Sequence, residues 1–204
     1  MEKILTCVDL GAGLGGLSEA FWRSHRWIVD RVDNDPELAS VPGMVTWDYT
    51  QPWSEKPATL DDRYDLVLAG PECREFSLGF NAPSAVASRA GVQFSPDMTQ
   101  IKSVQRFIDH AAPTWWLVEN VMGSIKHLQH RLGTPQIIGS RVLYGTVPQI
   151  LVDPLTVAGL AKKTTMTGYH ARSLVPLPIS TAIMEAVEEQ RMLSEWVVDG
   201  DSGR

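Results

Sequence analysis

The apolar positions of this chain fall in short runs broken by glycine, proline and acid. KILTCVDL (Lys3–Leu10) is nearly continuous in apolar character, as a strand buried on both faces requires. It ends in GAGLGG (Gly11–Gly16), and LSEAFWRS (Leu17–Ser24) then takes helical spacing. WIVDRVD (Trp27–Asp33) reads as a second strand ending in acid, with a short helix after Asp35-Pro36. MVTWD (Met44–Asp48) and YDLVLAG (Tyr64–Gly70) read as the third and fourth strands. Residues 70 to 95 keep no period, and so long an irregular stretch in a compact domain is usually functional or mobile. Met98, Ile101, Val104 and Ile108 recur every three or four positions, predicting a helix from Ser95-Pro96-Asp97 to about Ala111. WWLVENV (Trp115–Val121) is the fifth strand.

Strands alternating with helices predict an α/β fold, a mostly parallel sheet covered by helices on both faces in a Rossmann-like layout. Beyond Ile125 the pattern weakens. Arg141–Tyr144 and Gln149–Val152 are expected as short antiparallel strands, and Ser180 as the cap of a last helix with Ile183, Val187 and Trp196 on its apolar face.

A length of 204 residues fits one domain. Its expected parts are a binding and catalytic core at 1–124, a reduced substrate-contacting region at 125–179 and a terminal helix with a short tail at 180–204. No apolar run approaches the roughly 18 residues of a membrane span, and no signal peptide opens the chain. Two cysteines make neither a disulfide framework nor a zinc pattern, so no metal is expected and a reducing cytoplasm fits. The net charge of -6 speaks against nucleic acid until its distribution is seen. Between Asn120 and Met184 six Lys and Arg residues face one acid, Asp153. That segment is a candidate phosphate-contacting surface on an otherwise acidic protein.

Two places carry candidate chemistry. The glycine loop follows a strand and precedes a helical pattern, and Asp33 lies about 20 residues further on, where an acid can accept from ribose hydroxyls. The spacing G-x-G-x-G-G is not a clean dinucleotide fingerprint, and the same layout serves S-adenosylmethionine. The second place is AGPECREFS, at the end of the fourth strand, where Cys73 sits on a turn. A thiolate there is a candidate nucleophile beside the presumed cofactor. Glu119, near the end of the fifth strand, is its candidate partner: a carboxyl in a cleft can stay protonated and donate to a ring nitrogen. Cys7, inside the first strand, reads as core.

The order DLGAGLGG, GPECREFS, WLVENV resembles the cytosine carbon-5 DNA methyltransferases, whose motifs run D-L-F-x-G-x-G-G, G-P-P-C-x-x-F-S and E-N-V. RVLYGTVPQ is a weaker echo of a later Y-G-x-P-Q segment, and RSLVPLPISTAI is similar in placement to the family's terminal helix. The short length and the P-E-C variant look most like compact bacteriophage members. The resemblance implies a methyltransferase using S-adenosylmethionine, with Cys73 attacking ring carbon 6 and Glu119 at ring nitrogen 3 of a flipped-out cytosine. The segment from Arg74 to Phe94 would close over that base. Cofactor contacts would come from Asp9, Gly11, Ala12, Gly13, Leu14, Gly15, Gly16, Asp33, Asp48 and Pro71. Asp48 would take the adenine amino group. Substrate contacts would come from Arg74, Ser77, Asn120, Arg141, Lys162, Lys163 and Arg172. The expected partner is DNA with a short or relaxed target site, specificity coming from within, from a second copy or from a partner protein. Free deoxycytidine nucleotide or RNA as substrate, or a non-catalytic cofactor-binding subunit, are the alternatives.

Three departures stand out. Gly11 replaces the family's usual Phe. Glu72 replaces the second proline of P-P-C, and a carboxylate there raises the thiol pKa unless Arg74 or a backbone N–H compensates. Gln149 is followed by Ile-Leu-Val in place of arginines.

Overall fold

The computed structural model describes residues 3–161 and 174–201. Seven strands form one sheet in the order β3-β2-β1-β4-β5-β7-β6. They are β1 (Leu5–Leu10), β2 (Trp27–Asp33), β3 (Met44–Thr46), β4 (Leu66–Ala69), β5 (Trp115–Val121), β6 (Gln136–Ile138) and β7 (Arg141–Gly145). The first five are mutually parallel, β7 is antiparallel to β5, and β6 is antiparallel to β7. β4 is buried at every position and β1 at all but one, which is why both read as unbroken apolar runs.

The helices are α1 (Glu19–Arg23), α2 (Pro83–Arg89), α3 (Thr99–Ala111), α4 (Ile125–Leu132), α5 (Pro154–Ala161) and α6 (Leu177–Asp201). They cover both faces. On one face Phe21 of α1 and Ile179, Ile183 and Val187 of α6 pack with Leu5, Cys7, Leu66 and Leu117. On the other, Ile101, Val104 and Phe107 of α3 and Leu128 of α4 pack with Val8, Val67, Val118 and Val142. The expected Rossmann-like α/β fold is therefore the observed one, and Cys7 is fully buried within it.

The second half departs from expectation in detail. Gln149–Val152 is not a strand; the second antiparallel partner is β6. The Gln136 side chain leaves that strand to organise the following turn, accepting from the Ile150 amide at 2.7 Å and donating to the Pro148 carbonyl at 2.9 Å. Ser180 does not cap its own helix, which begins three residues earlier. It is buried against α1, where its Oγ donates to the Leu17 carbonyl at 2.7 Å and accepts from the Ala20 amide at 3.0 Å. That serine gives α1 the N-terminal partner its own Ser18 does not provide. Trp196 has no described side chain. The irregular stretch contains α2, which buries no residue, so no apolar period announces it.

Candidate active site

Strand order reverses between β1 and β4, and in an open α/β sheet the crevice beyond the carboxyl ends of such strands is where ligands bind. Both turns that leave these strands meet there. The Gly70 amide donates to the Leu10 carbonyl at 2.8 Å, and a Cβ on Gly11 would fall 2.8 Å from the Gly70 carbonyl oxygen. The Phe expected at position 11 therefore does not fit this backbone. A cavity of about 280 Å³ opens between the two turns.

The glycine loop is shaped from beneath by Arg31 of β2, whose side chain is 1% exposed. Its guanidinium donates to the Gly15 carbonyl, the Ser18 hydroxyl, the Pro42 carbonyl and the Glu19 carboxylate, at 2.8 to 3.2 Å. Gly15 has φ +77°, and a Cβ there would lie 2.5 Å from that guanidinium, so glycine is required twice over. Gly15 is thus a packing residue off the cavity wall, while Gly11, Ala12, Gly13, Leu14 and Gly16 line the wall. α1 is only five residues long and starts at Glu19, so the loop does not end in the long helix that cradles a pyrophosphate.

Asp33 and Asp9 stand behind the loop on the same wall. One Asp33 oxygen accepts from the Gly13 amide at 2.9 Å and the other from the Asp35 amide at 3.1 Å. Each oxygen keeps a lone pair for a further donor. Asp9 is wholly buried, and neither carboxylate oxygen has a hydrogen-bond partner among the described residues. Burial pushes its pKa up to about 6, outweighing the opposing pull of Ser18 and Arg31. Asp48 is not on the wall; its carboxylate is turned to the amide and hydroxyl of Thr50 at 2.9 and 2.7 Å. The residue after it, Tyr49, takes the wall position instead.

On the opposite side Cys73 and Glu119 both line the cavity, with Pro71 and Glu72. Cys73 begins a 3-10 turn, Arg74–Phe76, which Phe76 anchors in the core at 3% exposure. Asn120, fully buried, ties the turn to β5 by donating to the Pro71 carbonyl at 3.3 Å. It is a tether for the turn and does not line the cavity. Burial raises the Cys73 pKa first, Glu119 and Glu72 add to it, and the opposing pull comes from its own backbone N–H and from Arg141. Compensation for Glu72 therefore comes in part from a backbone N–H, as expected, and from Arg141; Arg74 is exposed and off the wall.

Arg141 is not free to meet a base or a phosphate. Antiparallel pairing of β5 and β7 sets it beside Glu119, and its guanidinium donates to Glu119 Oε1 at 2.7 Å and to the Leu174 carbonyl at 2.8 Å. Burial nevertheless holds the Glu119 pKa above the usual carboxylate range, with Arg141 pulling the other way. The Ser77 hydroxyl accepts from the Gly79 amide, away from the wall. Lys162, Lys163 and Arg172 lie outside the described residues. Sequence reasoning missed Leu17, Asn34, Asp35 and Gly70, neighbours of residues it named, and Tyr49, Gln100, Leu174 and Val175, all on the wall.

No family model matches the chain, and no curated protein matches it. Similar solved structures include a prophage-encoded E. coli protein described as a DNA modification methyltransferase. It has 19% identity and a TM-score of 0.44, over 69% of this chain and 45% of that one. Another is the Entamoeba histolytica methyltransferase EhMeth, with 15% identity and a TM-score of 0.46, over 70% of this chain and 52% of that one. The chain spans about half the length of each. The chemistry has to be argued from its own residues.

Proposed function

We propose that this chain is a methyltransferase that moves a methyl group from S-adenosylmethionine to carbon 5 of cytosine in DNA, through a covalent bond to Cys73. The observation that carries the reading is that Cys73, Glu119 and the glycine loop line one cavity.

Charge supports the cofactor. The described wall bears four carboxylates, Asp9, Asp33, Asp35 and Glu72, besides the carboxyl group of Glu119, and no Lys, Arg or His. A pyrophosphate would be repelled there, whereas S-adenosylmethionine brings an ammonium and a sulfonium. The unpartnered Asp9 carboxylate is a standing cost that a cation at the loop offsets. Gly13, at φ +54° with nothing within 4 Å of where a Cβ would stand, leaves the loop backbone open to a ligand. Asp33 would hold ribose hydroxyls with its remaining lone pairs. When bound, S-adenosylmethionine supplies the electrophilic methyl group.

The chain's own residues do the rest. The resting thiol is neutral, because burial, Glu119 and Glu72 all disfavour the thiolate. Ionisation of Cys73 therefore accompanies base entry, its proton passing to water and returning once the thiolate is released. Its sulfur bonds to carbon 6 of cytosine, the electrons of the 5,6 double bond move into the ring, and Glu119 gives its proton to ring nitrogen 3. The raised pKa of Glu119 suits that role, and Arg141 on Oε1 leaves Oε2 to carry the proton. Once carbon 5 has exchanged its hydrogen for methyl, the proton going to water, the bond from sulfur to carbon 6 breaks. Cys73 leaves as thiolate and Glu119 recovers its proton from nitrogen 3. A base in a duplex cannot reach this cavity, so it would flip out. The segment that follows the thiol turn exposes Leu78, Phe80 and Val92 and is placed in sequence to cover such a base. Exposed Lys126 and Arg131 on α4 are described cations for the phosphate backbone.

The test is incubation with labelled S-adenosylmethionine and, separately, DNA, RNA and deoxycytidine nucleotides, followed by nucleoside mass spectrometry. We expect 5-methylcytosine in DNA, lost below detection in Cys73→Ala while cofactor binding stays near wild type. Label in RNA or nucleotide alone would move the substrate, and normal turnover by Cys73→Ala would end the covalent mechanism. Cofactor binding without transfer to any acceptor would leave a non-catalytic subunit.

A further inference from the structure

Gln100 sits in the first turn of α3, far in sequence from both motifs, yet its side chain joins them. Its Oε1 accepts from the Glu72 amide at 2.7 Å and from the Tyr49 hydroxyl at 3.2 Å. A backbone N–H can only donate, so the atom facing Glu72 must be the oxygen, and the orientation of the amide is fixed by this network. The Tyr49 hydroxyl then donates to the same oxygen. The amide nitrogen Nε2, with two N–H groups, has no hydrogen-bond partner among the described residues and is not sealed from solvent, while Gln100 lines the cavity.

We propose that Gln100 is a specificity-determining and positioning residue: its pinned oxygen ties the Cys73 turn to Tyr49, and its amide nitrogen presents a donor to an acceptor on the base of the bound nucleoside. This rests on the S-adenosylmethionine reading above. The assignment to the base follows from the wall. Tyr49 lies near Asp33, whose charge acts on its hydroxyl, and Asp33 is the ribose-binding acid of the layout. Tyr49 directly follows Asp48, which was expected to read the base, and Gln100 reaches the cavity wall bonded to the Tyr49 hydroxyl. A donor there seeks a ring nitrogen, whereas Asp48 would have sought the amino group. The same oxygen also couples ligand and thiol, since whatever holds Gln100 in place holds the Glu72 amide and, one residue on, Cys73.

The test uses the full chain with S-adenosylhomocysteine as calorimetric probe and iodoacetamide alkylation of Cys73 as a separate readout. Cys7 is fully buried, so alkylation reports Cys73 alone. Gln100→Glu keeps an oxygen for Glu72 and Tyr49 but replaces both N–H groups by a second acceptor. We expect its affinity to fall about tenfold, with the alkylation rate lowered only by the shift that the added carboxylate causes in the pH profile of the thiol. Gln100→Leu loses the donor and the tether, and should lower affinity similarly while changing the alkylation rate at least about threefold. Unchanged affinity in Gln100→Glu overturns the recognition half, and an unchanged alkylation rate in Gln100→Leu overturns the positioning half. Failure of the wild-type chain to bind S-adenosylhomocysteine would sink the functional reading and the recognition half with it. The alkylation rates still decide the positioning half. Circular dichroism of each variant separates these outcomes from misfolding.

Discussion

The two turns at the switch point are built in opposite ways. The glycine loop rests on a buried arginine that donates to four separate groups, and it admits side chains at few positions. The thiol turn is tied by three hydrogen bonds, one from Asn120, one to Gln100 and one from the Asp97 amide to Glu75, with Phe76 as its apolar anchor. Beyond it the chain exposes Leu78 at 69% and Phe80 at 75%, held locally by Arg89, which donates to the Phe80 carbonyl and lies over its ring. The lesson is a division of labour. On the proposed reading, the side that would match a fixed ligand is firmly seated, and the side that would carry the nucleophile is more lightly tethered.

Substitutions can break this contrast. The largest effect should come from Arg31→Met, which leaves the Gly15 and Pro42 carbonyls without that donor and Glu19 with Arg23 alone. A loss of about 4 kcal/mol is expected by chemical denaturation, summed over the several acceptors that lose a charged donor. Retention of wild-type stability would mean the loop does not need its support.

Next is the pH dependence that Asp9 imposes. Its folded pKa, about 6, lies above the ordinary value of 3.8, so the folded state binds its proton more tightly than the unfolded chain does. Stability from this group is full below pH 4 and is lost as pH rises through 6, about 3 kcal/mol in all. Denaturation midpoints of the ligand-free chain should fall over that window, and Asp9→Asn should flatten the slope. A wild-type slope no steeper than that of Asp9→Asn would refute the assignment.

The smallest effect on stability should come from Asn120→Ala. About 1 to 2 kcal/mol is expected for one buried side chain and its hydrogen bonds. Hydrogen exchange at residues 72–77 should nonetheless rise more than at the glycine loop. Equal increases at both turns would erase the distinction.

Much of the first half was legible because its strands are buried on both faces and its punctuation is glycine and acid. The second half was less so for physical reasons. β6 has three residues, too few for a period, and α4 buries only Leu128 and Leu132 of its eight. α2 buries nothing and left no stripe to read. At the site, residues at strand ends were found because topology places them, as with Asp9, Asp33, Cys73 and Glu119. Gln100 and Val175 were missed because each reaches the wall from a different part of the chain. Arg31 did leave a signal. A charged residue in the middle of WIVDRVD, a strand bound for the interior, must be paired, and the partners could only be sought nearby. Arg141 was noticed but assigned outward, since nothing in one sequence reveals the antiparallel register that sets it against Glu119.

The seat of Ser180 has a consequence for synthesis. Its hydroxyl completes the start of α1 from 160 residues away, and the Val175 backbone comes within 2.5 Å of where a Cβ on Gly16 would be. The first strand and its glycine loop leave the ribosome about 160 residues before the cap and the wall that complete them. A nascent chain, however long it pauses, carries only an open half of the hollow. Competence to hold a ligand therefore arrives in one late event, when the last helix docks against the first.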